Sequence, residues 1–241
     1  MPKALICEKW EMEFEEYVPE DGKKPFENRP FLDNIFRDGL KDVSDSAEAS
    51  YKLLSGLPTG KTVVEFFGGI GLQSLIVENL LHPIEHVVLD KDSQCVEHLK
   101  RVFQNYPDVL IAQADAWEAM KVYVGDIFLL DWIWTPRRWN EHKESLDALF
   151  IQKPLAVTFF DSTKPYFPTN RKRYAAMFGC EINSFYDYVV SLSNFIIARY
   201  GYAISKVAYC SNRGTFCLLQ PAPIERMEEF EISSSKGFVW K

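Results

Sequence analysis

The sequence predicts an α/β protein whose mostly parallel sheet is closed by a C-terminal antiparallel hairpin. Short, nearly continuous apolar segments alternate with helical segments from residue 60 onward, which is typical of a parallel sheet covered on both faces. A glycine-rich turn follows the first of these segments, where open α/β sheets bind ligands. The last two predicted strands follow each other directly, with a tight turn between them.

Five apolar segments have the length and composition of buried parallel strands. Helical segments separate them. The apolar segment Leu72–Leu81 ends before Pro83, and Asp92 can cap a helix whose apolar face includes Leu99. The five predicted strands are Thr62–Phe67, His86–Asp90, Val109–Ala112, Asp126–Asp131 and Leu155–Phe160.

The two ends of the chain depart from this alternation. A helix is expected to start near Ser44 or Asp45 and to stop at Gly56. Near the other end, a helix closes at Gly201 and two strands follow it, joined by a Ser-Asn-Arg-Gly turn. We therefore expect an N-terminal extension at 1–57 that can fold over the site as a lid, a main domain at 58–220 with its final strands at Tyr202–Tyr209 and Thr215–Leu219, and a tail at 221–241.

Composition excludes several classes of protein. The chain of 241 residues is 47% hydrophobic and 25% charged, as is usual for a folded domain, and it has no run of 18 apolar residues. Its five cysteines form no CxxC and its four histidines no ligand cluster, so we expect no metal site and a reducing, cytoplasmic location. The net charge is −7, yet residues 134–213 carry 11 basic and 6 acidic groups, which favours a specific anionic partner.

The most informative segment spans Val64 to Ser74, with the sequence VEFFGGIGLQS. Gly68, Gly69 and Gly71 fall where the first strand passes into the first helix, and such glycines let a ligand approach the backbone. By itself the motif also fits an ordinary tight turn. Acidic residues at the ends of later strands favour a ligand site over an ordinary turn.

Two acidic residues lie at the carboxyl ends of the second and third predicted strands, as the glycine turn lies at the end of the first. Asp90 ends the second strand, 19 residues past Gly71, where a carboxylate can accept both hydroxyls of a ribose. Asp115 follows the third strand, where it can accept a hydrogen bond from an adenine amino group. Glu65 lies beside the glycines and would repel a pyrophosphate, whereas it would attract the ammonium and sulfonium of S-adenosylmethionine.

The segment Glu65-Phe66-Phe67-Gly68-Gly69-Ile70-Gly71, with Asp90, Asp115 and Asp131 behind it, resembles the class I S-adenosylmethionine-dependent methyltransferases over about residues 58–220. This resemblance implies a Rossmann-like fold with a seven-stranded sheet and S-adenosylmethionine as cofactor. It also implies that the first acid and the glycines hold the methionine end, Asp90 the ribose and Asp115 the adenine. The expected cofactor-binding set is Glu65, Gly68, Gly69, Gly71, Asp90, Asp115 and Ala116.

The first motif looks most like that of cytosine-C5 DNA methyltransferases, but the fourth strand departs from the family. The sequence there is LDWIWTPRRW, with neither the Asp/Asn-Pro-Pro-Tyr of amino-methyltransferases nor the Pro-Cys of C5 enzymes. Aromatic and basic residues follow the strand instead, and they can stack a base and hold phosphates. They also fit a tryptophan-capped core and a solvated basic face. The candidate acceptor-binding residues are Trp132, Trp134, Arg137 and Arg138, next to Trp139.

These observations predict a methyltransferase acting on nucleic acid, which it contacts through segments 132–139 and 171–173. No cysteine lies in 126–140, so a nitrogen or oxygen acceptor is expected rather than cytosine C5, with Asp131 orienting the acceptor or taking its proton. Two alternatives stay open: an inactive methyltransferase-like fold serving as a binding or regulatory subunit for a protein partner, and a protein or small-molecule methyltransferase.

Overall fold

One mixed sheet organises the protein. The computed structural model describes residues 41–69, 71–133, 136–161, 168–210 and 214–232, with the backbone alone at 41–47, 131–133, 136–137, 161, 168–170 and 210. Its eight strands are β1 Thr62–Phe66, β2 Glu85–Asp90, β3 Val109–Gln113, β4 Ile127–Ile133, β5 Ala156–Asp161, β6 Tyr202–Cys210, β7 Gly214–Pro221 and β8 Glu228–Ile232.

The strands lie in the order β3-β2-β1-β4-β5-β7-β6-β8. The strands β1 to β5 are parallel, β7 runs antiparallel between β5 and β6, and β8 pairs in parallel with β6 at the edge. Because β1 to β5 run the same way, their carboxyl ends share one edge of the sheet. The turn after β1 and the connections after β2, β3 and β4 therefore meet there.

Helices cover both faces of the sheet. The helices α1 to α3 pack on one face, and α4 to α8 pack on the other. Local signals set some of their ends. The helix α8 begins with a capping box formed by Ser184 and Asp187 and stops at Gly201, which has a φ of 75°. The helices are α1 Lys41–Leu54, α2 Leu72–Leu81, α3 Ser93–Val102, α4 Ala116–Ala119, α5 Pro136–Glu141, α6 Lys143–Ile151, α7 Pro168–Phe178 and α8 Phe185–Tyr200.

Alternation along β1 assigns its side chains to the two faces. Val63 belongs to the apolar cluster under α1 and α2, whereas Val64 and Phe66 belong to the cluster under α4, α6 and α8. Glu65 thus lies on the α2 side of the sheet. It is only 1% exposed, so its carboxylate must find partners inside the protein.

The predicted mostly parallel sheet with a closing antiparallel hairpin is confirmed, and each predicted strand lies within two residues of the observed one. The helix α1 begins at Lys41 rather than near Ser44. An eighth strand, β8, lies in the expected tail. The strand β8 was not predicted because its three exposed glutamates are unfavourable in strands. Its residues Phe230 and Ile232 face the apolar cluster under α1.

The expected lid falls largely on residues 1–40, outside the described ranges. Among the described helices, none is both long and apolar enough to span a bilayer.

Candidate active site

The turn between β1 and α2 requires glycine at two positions because it packs tightly on its neighbours. A Cβ atom at Gly68 would lie 2.5 Å from Cγ1 of Val88 on β2. One at Gly71 would lie 2.8 Å from Cδ2 of Leu99 on α3, and Gly71 also has a φ of 85°. Side chains at these positions would push the turn away from the sheet edge.

The third glycine of the turn has a different surrounding. Gly69 has a φ of 55°, and the nearest atom to a Cβ built there is the carbonyl oxygen of Phe67 at 3.8 Å. Space therefore remains beside its backbone, as a ligand approaching the turn would need. The backbone N–H of Gly69 donates to Oδ2 of Asp90 over 2.9 Å.

Asp90 connects the end of β2 to this turn. Its Oδ2 accepts from Gly69, and its Oδ1 accepts from the backbone N–H of Asp92 over 2.8 Å. The residue is 5% exposed. Asp90 thus holds the turn in place, a role that the sequence did not suggest.

Glu65 lies beneath the turn and is enclosed by protein. Its Oε2 accepts a 2.6 Å hydrogen bond from the Ser74 hydroxyl on α2, and Nε2 of His86 lies 3.5 Å from the same oxygen, within ion-pair distance. The other nitrogen of His86, Nδ1, lies 2.7 Å from Oε1 of Glu78. Because His86 lies beside Glu65, the charge of Glu65 does not by itself exclude a pyrophosphate at the turn.

The pKa of His86 reflects this surrounding. Complete burial lowers the pKa, but hydrogen bonds and charge from Glu65 and Glu78 outweigh burial and raise it above the ordinary value. The two carboxylates therefore favour the imidazolium form more than water does around a free histidine.

Asp115 caps the short helix α4 at the carboxyl end of β3. Its Oδ1 accepts from the backbone N–H groups of Trp117 over 2.9 Å and Glu118 over 3.4 Å. The residue is exposed, and Ala116 beside it is buried. The side chain stands at the same sheet edge as the glycine turn and is accessible there. A ligand reaching both places would lie along the carboxyl ends of β1, β2 and β3.

Three aromatic rings at this edge, those of Phe67, Trp117 and His142, were not predicted from the sequence as part of the site. Phe67 has a φ of 67°, a conformation that costs a non-glycine residue about 1–2 kcal/mol. Its ring meets Trp117 edge-on at 5.5 Å between centroids, and Trp117 stacks on His142 at 3.5 Å with planes 1° apart. Partial burial is the main cause that lowers the pKa of His142, and Arg138 adds to it. The sequence feature that could have indicated these rings is that Phe67 and Trp117 each lie within two residues of a predicted ligand-binding residue.

On the acceptor side, β4 ends irregularly. Its pairing with β5 shifts register between Leu130 and Ile133, which places Asp131 and Trp132 in the irregular stretch. Such irregularities occur often beside active sites, where they redirect side chains. The side chains of Asp131, Trp132, Trp134 and Arg137, all predicted to act on the acceptor, lie outside the described part of the structure.

Trp139 is part of the hydrophobic core. It is 2% exposed and meets the rings of Phe159 and Phe195 edge-on, with centroids 6.1 and 5.6 Å away. Stacking by a base would need an exposed ring face, which Trp139 does not offer. For this tryptophan, the core-capping interpretation is correct.

The two predicted basic segments come together. The helix α5, which carries Arg138, packs against α7, which carries Arg171, Lys172 and Arg173. Lys172 and Arg173 are exposed, whereas Arg138 and Arg171 are partly buried. We refer to the exposed Lys172 and Arg173, with the partly buried Arg138 and Arg171, as the basic surface on α5 and α7.

The cysteines and acids of the described residues offer neither a metal cluster nor a thiol in the predicted strand-four stretch. Among the described residues, no group of three His, Cys, Asp or Glu side chains is suited to a metal ion. Cys95 and Cys217 are buried, and the exposed Cys180 lies 3.1 Å from the hydroxyl of Ser191.

Solved methyltransferase structures share this fold. The chain is similar to Trm1 from Pyrococcus horikoshii in complex with S-adenosyl-L-methionine, with a TM-score of 0.57 and 13% identity over 75% of this chain and 55% of that one. It is similar to the DhpI–SAH complex, with a TM-score of 0.55 and 16% identity over 80% and 91% of the two chains. It is also similar to an O-methyltransferase family protein from Burkholderia thailandensis, with a TM-score of 0.51 and 13% identity over 90% of this chain and 71% of that one.

The chain spans 55% of the length of the Trm1 structure. No protein-family profile matches the sequence, and no curated protein matches it. The likeness is therefore one of overall backbone architecture. The chain has the Rossmann-like fold of class I methyltransferases.

Proposed function

We propose that this protein binds S-adenosylmethionine and transfers its methyl group to a nitrogen or oxygen atom of a nucleic acid. The observation that carries the proposal is the glycine turn tied to Asp90, with the accessible Asp115 on the same sheet edge, in a fold whose similar structures Trm1 and DhpI hold S-adenosyl-L-methionine and SAH. In this proposal Gly69 and Asp90 line the ribose and methionine end, and Asp115 with Ala116 meets the adenine.

Cofactor binding is tested by titration calorimetry with S-adenosylhomocysteine. We expect the native protein to bind it, and Asp90→Ala to weaken binding by roughly 2–4 kcal/mol through lost ribose bonds and a released turn. The matched control is Asp92→Ala. It removes a nearby carboxylate that caps α3 but keeps the backbone N–H that Asp90 accepts. Absence of binding by the native protein would refute the proposal.

The basic surface on α5 and α7 supports nucleic acid as the acceptor. Phosphates attract such clustered, exposed cations, and neutralising them reduces the salt dependence of binding. We expect the double variant Lys172→Ala, Arg173→Ala to lower the slope of log affinity against log salt by roughly 1–2 for a polynucleotide. Lys100→Ala, Arg101→Ala in the last turn of α3 removes the same charge elsewhere and should leave the slope unchanged.

The proposed acceptor atom rests on the lack of a cysteine in residues 126–140 of the sequence. Attack on cytosine C5 needs a thiolate beside the methyl donor. The described cysteines are two buried residues and one that contacts Ser191. Direct displacement onto nitrogen or oxygen, with Asp131 orienting the acceptor, is therefore the mechanism that we propose. The free thiols also support a reducing, cytoplasmic location.

A second candidate is a binding or regulatory subunit with an idle methyltransferase fold. It is favoured by the sequence LDWIWTPRRW at the end of β4, which lacks both family patterns for acceptor chemistry. Incubation with labelled S-adenosylmethionine and mixed RNA or DNA separates the two candidates. Cofactor binding without methyl transfer to any polynucleotide, protein or small molecule would favour the idle fold.

A further inference from the structure

A buried polar cluster lies beneath the glycine turn and, apart from Glu65, contains no residue of the predicted cofactor site. It consists of Glu65 on β1, Ser74 and Glu78 on α2, and His86 on β2, and we refer to it as the polar clamp. His86 is 0% exposed and Glu65 1%, and Glu78 is the most exposed side chain of the three ionisable ones at 12%. Buried groups of this kind are costly unless they satisfy one another.

The clamp needs a proton on His86 to be satisfied. A neutral imidazole has one N–H group, whereas carboxylates flank His86 on both sides, 2.7 Å from Nδ1 and 3.5 Å from Nε2. The imidazolium can donate from Nδ1 to Glu78, and its positive charge lies within ion-pair distance of Glu65. After deprotonation the clamp would hold two carboxylates and no cation. Glu65 from β1 and Glu78 from α2 are the charged groups that face His86, and β3 presents Val109 at the paired position.

The clamp fixes the helix that starts at the glycine turn. Ser74 and Glu78 are four residues apart on α2 and share one face of the helix, which the clamp ties to β1 and β2. The N-cap of α2 is Gly71, and no side chain caps this helix end. The position of the turn therefore depends on contacts from the sheet rather than on a local cap.

One face of β2 supplies these contacts. Alternate residues His86, Val88 and Asp90 point to the side of α2 and α3. His86 holds α2 through Glu78, Val88 packs under Gly68, and Asp90 accepts from Gly69. The turn and its helix thus contact a single strand at three alternate residues.

We propose that His86 is a positioning residue whose imidazolium ties α2 to β1 and β2, so that loss of its proton loosens the glycine turn and weakens cofactor binding. The cofactor part rests on the proposed function, whereas the effect on the turn does not. His86 would act through Glu65 and Glu78 without touching the cofactor.

The experiment follows three quantities against pH in the native protein. They are the His86 ring resonance, hydrogen-exchange protection factors of the Gly71 and Leu75 amides without ligand, and the affinity for S-adenosylhomocysteine. Both amides are hydrogen-bonded within the turn, to the carbonyl oxygens of Gly68 and Gly71. We expect protection to fall and affinity to drop roughly tenfold as His86 loses its proton.

The diagnostic variant is Glu78→Gln, which keeps a hydrogen-bond acceptor for His86 and removes the charge. It should move all three transitions to lower pH together. Glu97→Gln, an exposed position on α3, makes the same charge change and should move none of them. A merely structural role would lower stability without shifting the pH of the transitions.

The outcomes separate this proposal from the proposed function. If no S-adenosylhomocysteine binds at any pH but amide protection still follows His86, the proposed function fails and the positioning role stands. If protection and affinity stay constant through the His86 titration, or if Glu78→Gln leaves the transitions in place, the positioning role is refuted.

Discussion

The two halves of the site edge are built in opposite ways. Beneath the glycine turn, Glu65, Asp90 and His86 are buried and hold backbone or one another. Beside α5 and α7 the interior is aromatic, as at Trp139, and exposed cations lie on the surface. We call the first region, with Glu65, His86 and Asp90, the cofactor half and the second, on α5 and α7, the acceptor half, after their roles in the proposed function. The buried carboxylates of the cofactor half are hydrogen-bonded within the protein, whereas the acceptor half presents exposed charges that an anionic ligand would neutralise.

Two histidines make the same contrast. His86, in the cofactor half, is fully buried, yet its pKa is raised because two carboxylates flank it. His142, in the acceptor half, is less buried, and its pKa is lowered because burial outweighs nearby charges. The charged partners, more than the depth of burial, decide which protonation state each site favours.

The largest expected effect concerns the preorganised half. Asp90→Ala removes the acceptor of two backbone N–H groups, so we expect a loss of about 2–5 kcal/mol in the free energy of unfolding without cofactor. Asp115→Ala removes a surface helix cap and should cost about 1 kcal/mol. Urea unfolding measures both. Equal, small losses would show that Asp90 does not organise the turn.

In the acceptor half the expected effect is on turnover rather than stability. We expect Asp131→Ala to reduce methyl transfer at least roughly a hundredfold in an assay with a responsive substrate, because in the proposed mechanism Asp131 orients the acceptor or takes its proton. A folded variant with all five cysteines replaced by alanine or serine should stay active. Loss of activity on removing one cysteine, with a trapped covalent adduct in the native protein, would overturn this mechanism.

A smaller effect tests the strain at the junction of the two halves. Phe67→Ala removes the ring contact with Trp117 but keeps a Cβ at a φ of 67°, whereas Phe67→Gly removes both. The glycine variant should therefore be about 1 kcal/mol more stable than the alanine variant. Thermal unfolding of the two variants compares them directly, and the reverse order would mean that this backbone conformation is not strained.

The smallest effects are the pH dependences of the two histidines. The folded pKa of His86 lies above the ordinary 6.5, so its contribution to stability is complete below about pH 6.5 and is lost as pH rises through that folded pKa. The folded pKa of His142 lies below 6.5, so its protonation reduces stability as pH falls through it. NMR titration should place the two midpoints on opposite sides of 6.5, and midpoints on the same side would contradict the contrast.

Much of the cofactor half followed from sequence because its signals are local. Strand, glycine turn and helix are consecutive in the chain, and the end of the next strand brings Asp90 to the turn by register. The aromatic contacts of Trp117 were not predictable in this way. Phe67 and His142, which it touches, lie 50 and 25 residues away in the chain, and nothing in the sequence fixes which rings meet.

Periodicity and turn residues act over short distances, so the parallel sheet, its closing hairpin and the positions of the acids at the strand ends could be predicted from the sequence. What each of these side chains contacts depends on the tertiary structure. It turned Glu65 inward onto Ser74 and His86 and gave Asp90 two backbone partners. It also placed Trp139 in the core. The physical reason is that burial and partners depend on which distant segments pack together, and side-chain type alone does not specify that.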